Sequence, residues 1–511
     1  MFIKFKEKFL ENRNTNIILL LLISFSIVYF NYDLKFNIPM ISSKWKILFL
    51  IFSIGISIIS YIFMVFINKK DRKTHLIFLF MAILLGSMYL ISIPLFRGTD
   101  DHGHFYRIVQ LSEFNIFSDD NDTIPSDFAN ILTTERNTSS SIKDRLLSSV
   151  DYTQRSPQVN RAAANYSPVN YIPQTIAFWI SRLFHVGPYF YAYMAKIFNF
   201  ICFLIFATIS VKIIPCKKEF LSVILLSPAI LSLVTTLTSD SILIGSSVLF
   251  ISYIIYIKYN NIEINNKVIL KLILLGGIIA LCKTGFAIIT LATLLLINKK
   301  SSKKDIMKIL SVIIIALVLT SGWYFVESIR STSSISPDIM AKQNEQLEFV
   351  KSNPIEYLVM NCKLFINQGY YYISNLFAGK EMCYTTVNLP SLVVFMYLIT
   401  AVIAFLYDDK NIKINNIQKA ILIFMILGFA IFVSFVMYTQ WTIMDYAPGG
   451  SVINGVQSRY FVPFLPLLIM LFSNKTTIKT DKTKILNYTM FLNLCCVMAT
   501  LITMIGLRVK G

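Results

Sequence analysis

The chain has 511 residues, 55% hydrophobic and only 15% charged, with a mean hydropathy of +0.63 and a formal charge of +19. Such a composition excludes an ordinary soluble globular protein and reads as an all-α, polytopic integral membrane protein. The positive charge does not indicate nucleic-acid binding, because Lys and Arg stand in short clusters between apolar runs and not along one face.

A bilayer crossing takes about 20 apolar residues. Runs of that kind lie near residues 16–32, 46–67, 75–95, 188–211, 219–237, 241–257, 268–281, 285–298, 306–326, 388–407, 418–438, 459–473 and 485–507. They predict about 13 transmembrane helices, with the pairs flanking "TSD" and "CKTG" each readable as one bent helix. The basic N-terminus leads into an apolar run without a small-residue cleavage site, so the first helix is expected to be retained.

Orientation follows from the basic residues. With the N-terminus in the cytoplasm, Lys4, Lys6, Lys8 and Arg13 lie inside, as do Lys69, Lys70, Arg72 and Lys73, and Lys212, Lys217 and Lys218. The stretches "NKKSSKK", "DDKNIK" and "KTTIKTDKTK" join them, whereas the opposing short connections carry almost no Lys or Arg. The long segments 96–187 and 327–387 then become external loops. The polar clusters "TDDHGHFYR", "TSD", "CKTG" and "VQSRY" share that outer face, which predicts one external site.

In the first of these clusters Asp100, His104 and Arg107 recur at i, i+4 and i+7, and Asp101 lies three before His104. Gly103 weakens the helix that would align them. An aspartate at a membrane surface can accept a proton from an attacking hydroxyl, with a neighbouring His or Arg to orient it or hold anionic charge. Two plainer readings compete: the acidic pair caps the helix start, or the cluster is a solvated loop. Asp100, His102 and His104 match no standard metal spacing, so no metal ligand is assigned; the sequence requires no divalent cation and leaves the cofactor open.

Downstream, Pro168 and Pro173 in "NYSPVNYIPQTIAFWISRLF" favour turn backbone, with Tyr166, Tyr171 and Trp179 as interfacial anchors. The amphipathic stretch after them is too short to span and predicts a re-entrant or surface-lying helix. The intervening "SDDNDTIPSDFANILTTERNTSSSIKDR" is polar and predicts a mobile loop. Asp240 sits in a short connection, where it either caps the next helix or serves a site. Lys283 has apolar flanks, so its ammonium must reach water, a carboxylate or a phosphate. Arg459 offers a planar fork suited to phosphate or carboxylate, or anchors its helix at the interface. In "SNPIEYLVMNCKLF", Asn353, Pro354 and Glu356 predict a capping-box helix start, and Ile355, Leu358, Val359, Cys362 and Phe365 follow at helical spacing, as in an external amphipathic helix. The seven cysteines form no CxxC pair. Cys362 and Cys383 fall in one polar region and are either free thiols or a disulfide.

These stretches carry a resemblance. "TDDHGHFYR" resembles the Asp-Glu-x-x-His-Phe signature of a bacterial family of predicted polytopic membrane proteins of unknown function, grouped with the GT-C glycosyltransferases. In order, "NYSPVNYIP" resembles its Asn-Tyr-Pro-Pro-x-Tyr-x-Pro, "LLSPAILSLVTTLTSD" its helix ending in Asn-Pro-Asp, and "ALCKTGF" its Lys-Pro-x-Tyr. "SVINGVQSRYFVPFLPLL" is similar to its Gly-Val-Gln-Gly-Arg-Tyr-Phe-x-Pro. Asp101 stands in place of Glu, Thr238 and Ser239 in place of Asn-Pro, and Thr284 in place of Pro. The similarity divides the chain into N-terminal helices (1–75), a GT-C-like core (76–473) and a C-terminal helix (474–511).

The resemblance implies a membrane glycosyltransferase of the bacterial plasma membrane. It would move a sugar from a polyprenyl-phosphate donor to a cell-surface glycan acceptor, with inversion, on the outer face of the bilayer. Asp100 or Asp101 would be the general base, oriented by His104. Arg107, Lys283 and Arg459 would hold the donor phosphate, and Asp240, Tyr166, Tyr171, Gln457 and Tyr460 would contact substrate. Rival readings are a lipid-linked glycan polymerase or ligase, a non-enzymatic scaffold, and a flippase or transporter. The scarcity of ionisable residues in the middles of the spans counts against transport.

Overall fold

A computed structural model describes residues 73–119, 121–134, 148–157, 163–298, 301–330, 336–377, 391–408, 412–472 and 478–509, with a few isolated positions besides. The expected spans at 16–32 and 46–67, the basic residues before Lys73, and Cys383 lie outside the described residues.

The described chain is helical nearly throughout. It begins with α1 (Thr74–Ser92) and α2 (Asp101–Ser112), followed by α3 (Ser126–Thr134), α4 (Ile172–Arg182) and α5 (Pro188–Ile213). Two short helices, α6 (Lys218–Leu225) and α7 (Pro228–Val234), lead to α8 (Asp240–Tyr259) and α9 (Asn266–Cys282). A 3-10 segment (Phe286–Leu296) precedes α10 (Lys303–Arg330), α11 (Pro337–Ser352), α12 (Pro354–Asn367), α13 (Gly369–Phe377) and α14 (Ser391–Tyr407). After α15 (Asn416–Val436), which runs on through a π turn to Asp445, a second 3-10 segment (Ser458–Leu467) leads to Leu468–Leu471 and finally α16 (Lys482–Val509). Among the described residues five helices are long and apolar enough to cross a membrane: α1, α5, α8, α10 and α15 with its continuation. The 3-10 segment 286–296, α14 and residues 458–471 are shorter apolar helices.

Helix α8 is the axis of the bundle. It is apolar on every side, as a helix surrounded by protein should be, and 83% of its most apolar stretch is buried, against 17% for α10. It packs on α5, α9 and both 3-10 segments. At 1.5 Å per residue it is ~30 Å long, the thickness of a bilayer's hydrocarbon core. Its two ends differ in chemistry. Asp240 opens it. Lys258, near the other end, donates to the carbonyl of Leu295 (2.8 Å) and to Gln418 (3.2 Å).

Three expectations need correction. The apolar run 219–237 is not one continuous helix: Ser227 caps α7 by accepting from Ile230 N (3.3 Å), with Pro228 at its first position, so the run breaks into α6 and α7. The polar loop after α2 is partly ordered, because β1 (Thr123–Pro125) and β2 (Arg155–Pro157) pair antiparallel with Ile124 opposite Ser156. Arg155 locks this pair with a bidentate bridge to Glu113 (2.7 and 2.9 Å), so the fold is not all-α without exception. Finally, α12 starts at Pro354 but without a capping box: the Asn353 amide turns back to donate to Phe349 O (3.3 Å).

The elements flanking "CKTG" and "TSD" are separate helices and not single bent ones. Lys283 is extended and Gly285 lies in the left-handed region at φ 87°, where a Cβ would come within 2.3 Å of the Phe432 ring. Only glycine fits that turn without displacing the ring.

Candidate functional site

Four segments remote in sequence meet at the Asp240 end of α8. Lys283, just past the C-terminus of α9, donates to Asp240 Oδ1 at 2.5 Å. Arg459, at the start of the second 3-10 segment, reaches Asp100 Oδ2 at 2.5 Å and Asp240 Oδ2 at 3.5 Å. The result is a chain of alternating charge, Asp100–Arg459–Asp240–Lys283. Three members are almost fully buried, with side chains 6–9% exposed, while the Asp100 side chain is 45% exposed. Buried ionic groups are tolerated only when paired in this way.

Lys283 stands just before one 3-10 helix and Arg459 in the first turn of another. That winding rises further per residue, so 11 residues at 2.0 Å each cover ~22 Å. Pro463 and Pro466 lie inside the second segment and withhold backbone donors there. Lys283 and Arg459 are therefore presented from elements that begin at the site, while α8 presents Asp240 from its first turn.

Adjacent Asp100 and Asp101 have different surroundings. Asp100 occupies the N-cap position of α2 in the left-handed region (φ 59°), and its side chain makes no cap hydrogen bond. Aspartate tolerates that conformation better than most residues. The turn aims its carboxylate at Arg459. Asp101 is fully buried and accepts from Gly98 N (2.9 Å) and Leu237 N (3.0 Å), so it ties the α1–α2 turn to the loop before Asp240. A Cβ on Gly98 would lie 2.6 Å from that carboxylate, and glycine makes room for it. Asp100 therefore makes no cap hydrogen bond, while Asp101 stands in the first turn of α2, where a carboxylate suits the helix dipole.

The electrostatics separate the two further. Burial alone would raise Asp100, but the charge and hydrogen bond of Arg459 hold its carboxyl below the ordinary carboxylate value. Burial pushes Asp101 up to about 6, against the pull of Lys196 and its two backbone donors. His104 is buried beside this cluster, with Nδ1 2.7 Å from the Tyr171 hydroxyl. Burial, assisted by the charge of Lys283, pushes its imidazole down to about 3, so it is neutral at physiological pH.

The remaining expected site residues fall in two groups. Tyr166 stacks obliquely on His104 (6.0 Å between ring centres) and lies 5.7 Å below the Lys283 ammonium; Tyr460 lies 5.5 Å from the Arg459 guanidinium. The side-chain oxygen of Gln457 is buried with no hydrogen-bond partner among the described residues, as is Nε of Arg459. Arg107 is held elsewhere. Fully buried, it donates to Gln110 Oε1 (2.6 Å) and to the carbonyls of Ile116 (2.8 Å) and Tyr166 (2.9 Å). Its fork braces the loop that carries Tyr166 and is not part of the ion-pair chain.

Several polar residues that sequence reasoning passed over support this cluster. Lys196, inside the apolar "YMAKIFNF", donates to Ile93 O (2.7 Å) and Leu90 O (3.4 Å), closing the C-terminus of α1. Asn199 donates to the carbonyls of Thr236 and Thr238 (both 2.9 Å), Gln174 to that of Thr238 (3.4 Å), and Asn170 to that of Cys282 (2.5 Å). These amides fix the loops that deliver Asp240 and Lys283. Their signal was present: a lysine or carboxamide within an apolar run needs a buried partner.

Among the described residues no three His, Cys, Asp or Glu side chains gather to hold a metal ion. His102 stacks on Phe96 (5.4 Å between ring centres). Searches among curated proteins and among solved structures give no match. A family described as "Predicted membrane protein (DUF2142)" matches residues 81–468, a span that holds every member of the ion-pair chain, and the chain belongs to that membrane protein family.

Proposed function

We propose that the protein is a membrane glycosyltransferase that takes sugar from a polyprenyl-phosphate donor and passes it to a cell-surface glycan on the outer side of the plasma membrane. The observation that carries this reading is the ion-pair chain, in which two buried cations are held by two carboxylates and only Asp100 opens to solvent. A donor phosphate entering at that open edge competes with the carboxylates for Arg459 and Lys283. As Arg459 turns to the phosphate, the Asp100 carboxylate is less held by that cation and becomes a better base.

Asp100 then takes the proton of an acceptor hydroxyl while that oxygen bonds to the anomeric carbon. The bond from that carbon to the phosphate oxygen breaks on the opposite side. The leaving lipid phosphate carries away the electron pair and is held by the two cations. Asp101 supports the fold of this site and does not take the proton. Neutral His104, fixed by Tyr171, flanks the base. Arg107, expected from the resemblance to bind phosphate, braces the Tyr166 loop in this reading.

The test compares surface glycans, and sugar transfer from a polyprenyl-phosphate donor by purified protein in vesicles, for wild type and Asp100→Asn at equal protein level. Loss of transfer with an intact fold is expected. Unchanged glycans and unchanged transfer would end the proposal.

A further inference from the structure

The outward face of α4 is apolar where a helix in water would be polar. Ile172, Ile176, Trp179 and Leu183 follow one another at spacings of four, three and four and are 38–75% exposed, with Phe184 at 65% beside them. The opposite face, including Gln174, Ala177, Phe178 and Ser181, is buried. Phe114 and Ile116 extend the patch, at 74% and 46% exposed, and Phe114 stacks on Trp179 (5.3 Å between ring centres). Trp179 directs its only donor back to Ser112 O (3.0 Å), leaving the rest of its ring outward. Amphipathicity of this sense requires a non-aqueous phase over the exposed side.

We propose that this face lies in the bilayer, with α4 and the end of α2 resting on the leaflet at the N-terminal end of α5. The occupant is lipid because the patch continues a lipid-facing surface. The chain enters α5 only a few residues after Phe184, and the outward stripe of α5, Ile197, Ile201, Ile205 and Ile209, recurs every fourth residue and is 36–56% exposed.

Arg182 marks the polar boundary. Its guanidinium stacks 4.4 Å above the Tyr152 ring, and Nε donates to the Tyr152 hydroxyl (3.2 Å). Its two terminal amino groups have no acceptor among the described residues. The side chain lines a cavity of about 470 Å³ with His185, Glu113 and Tyr191. An Arg with this geometry beside an apolar face suits a lipid phosphate. This docking does not depend on the glycosyltransferase reading.

The test uses the full chain in nanodiscs of phosphatidylglycerol and phosphatidylethanolamine, with Cys362 and Cys383 replaced by Ser. Nitroxide labels go on Ile176→Cys or Leu183→Cys, on Thr153→Cys as the water-facing reference, and on Ile201→Cys as proof of insertion. Accessibility to oxygen and to a nickel chelate gives the depth of each label. Labels at 176 and 183 are expected roughly 5–10 Å below the phosphates, with the label at 153 in water. If 176 and 183 are as open to the chelate as 153 while 201 reads as lipid-buried, the proposal fails. If they are closed to both reagents, a protein covers the face and the proposal fails equally.

Discussion

Replacing each of the two neighbouring aspartates by asparagine should separate fold from function. Asp101 uses one oxygen for Gly98 N and the other for Leu237 N. An amide has a single acceptor oxygen, so in Asp101→Asn one buried N–H must face an NH₂ group. A buried donor left unsatisfied costs about 1–3 kcal/mol. At Asp100 the side chain is 45% exposed, and an asparagine there keeps an oxygen that accepts from the buried Arg459, with Asp240 still near it. The change should therefore cost no more than about 1 kcal/mol.

Thermal unfolding of detergent-solubilised protein, followed by labelling of the buried cysteines Cys282, Cys495 and Cys496, reads the difference. Asp101→Asn should lower the apparent melting temperature and Asp100→Asn should scarcely move it. Equal losses for the two variants, or a larger loss for Asp100→Asn, would refute the assignment of Asp101 to the fold and Asp100 to the open edge.

Lys283→Met strands Asp240 with only the longer contact to Arg459 and should destabilise the protein by about 3–5 kcal/mol. Lys283→Met with Asp240→Asn should lose less than the sum of the single changes, by about 1 kcal/mol or more; additive losses would show that the pair is not coupled. For His104, the unfolded chain binds a proton near 6.5 and the fold refuses it until about 3. Its contribution to stability is therefore complete above pH 6.5 and lost as pH falls toward 3. Asp101 acts in the opposite sense, because its raised pKa makes stability fall as pH rises from 3.8 through about 6. The informative comparison is therefore with His104→Gln: acidification from pH 7 to 5 should lower the apparent melting temperature of wild type more than that of the variant. Parallel pH profiles would mean that His104 is not buried neutral.

Composition and local pattern determined that this is a helical membrane protein and where most of its helices lie. They also picked out Asp100, Asp240, Lys283 and Arg459 as costly groups at helix ends, and the apolar outward side of α4. These inferences work because solvation penalties and helical periodicity are local properties, legible within one turn or one apolar run. The division of labour between Asp100 and Asp101 is not local: it depends on Arg459, 359 positions from Asp100, and on Leu237, 136 positions from Asp101. The same holds for Arg107, whose fork suits a phosphate as well as a carbonyl and is taken up by the carbonyls of Ile116 and Tyr166. Lys196 and the strand pair at Thr123–Pro125 likewise acquire their roles from partners far along the chain. A side chain's chemistry states what it needs, whereas only the packed chain decides which of several equivalent partners meets that need.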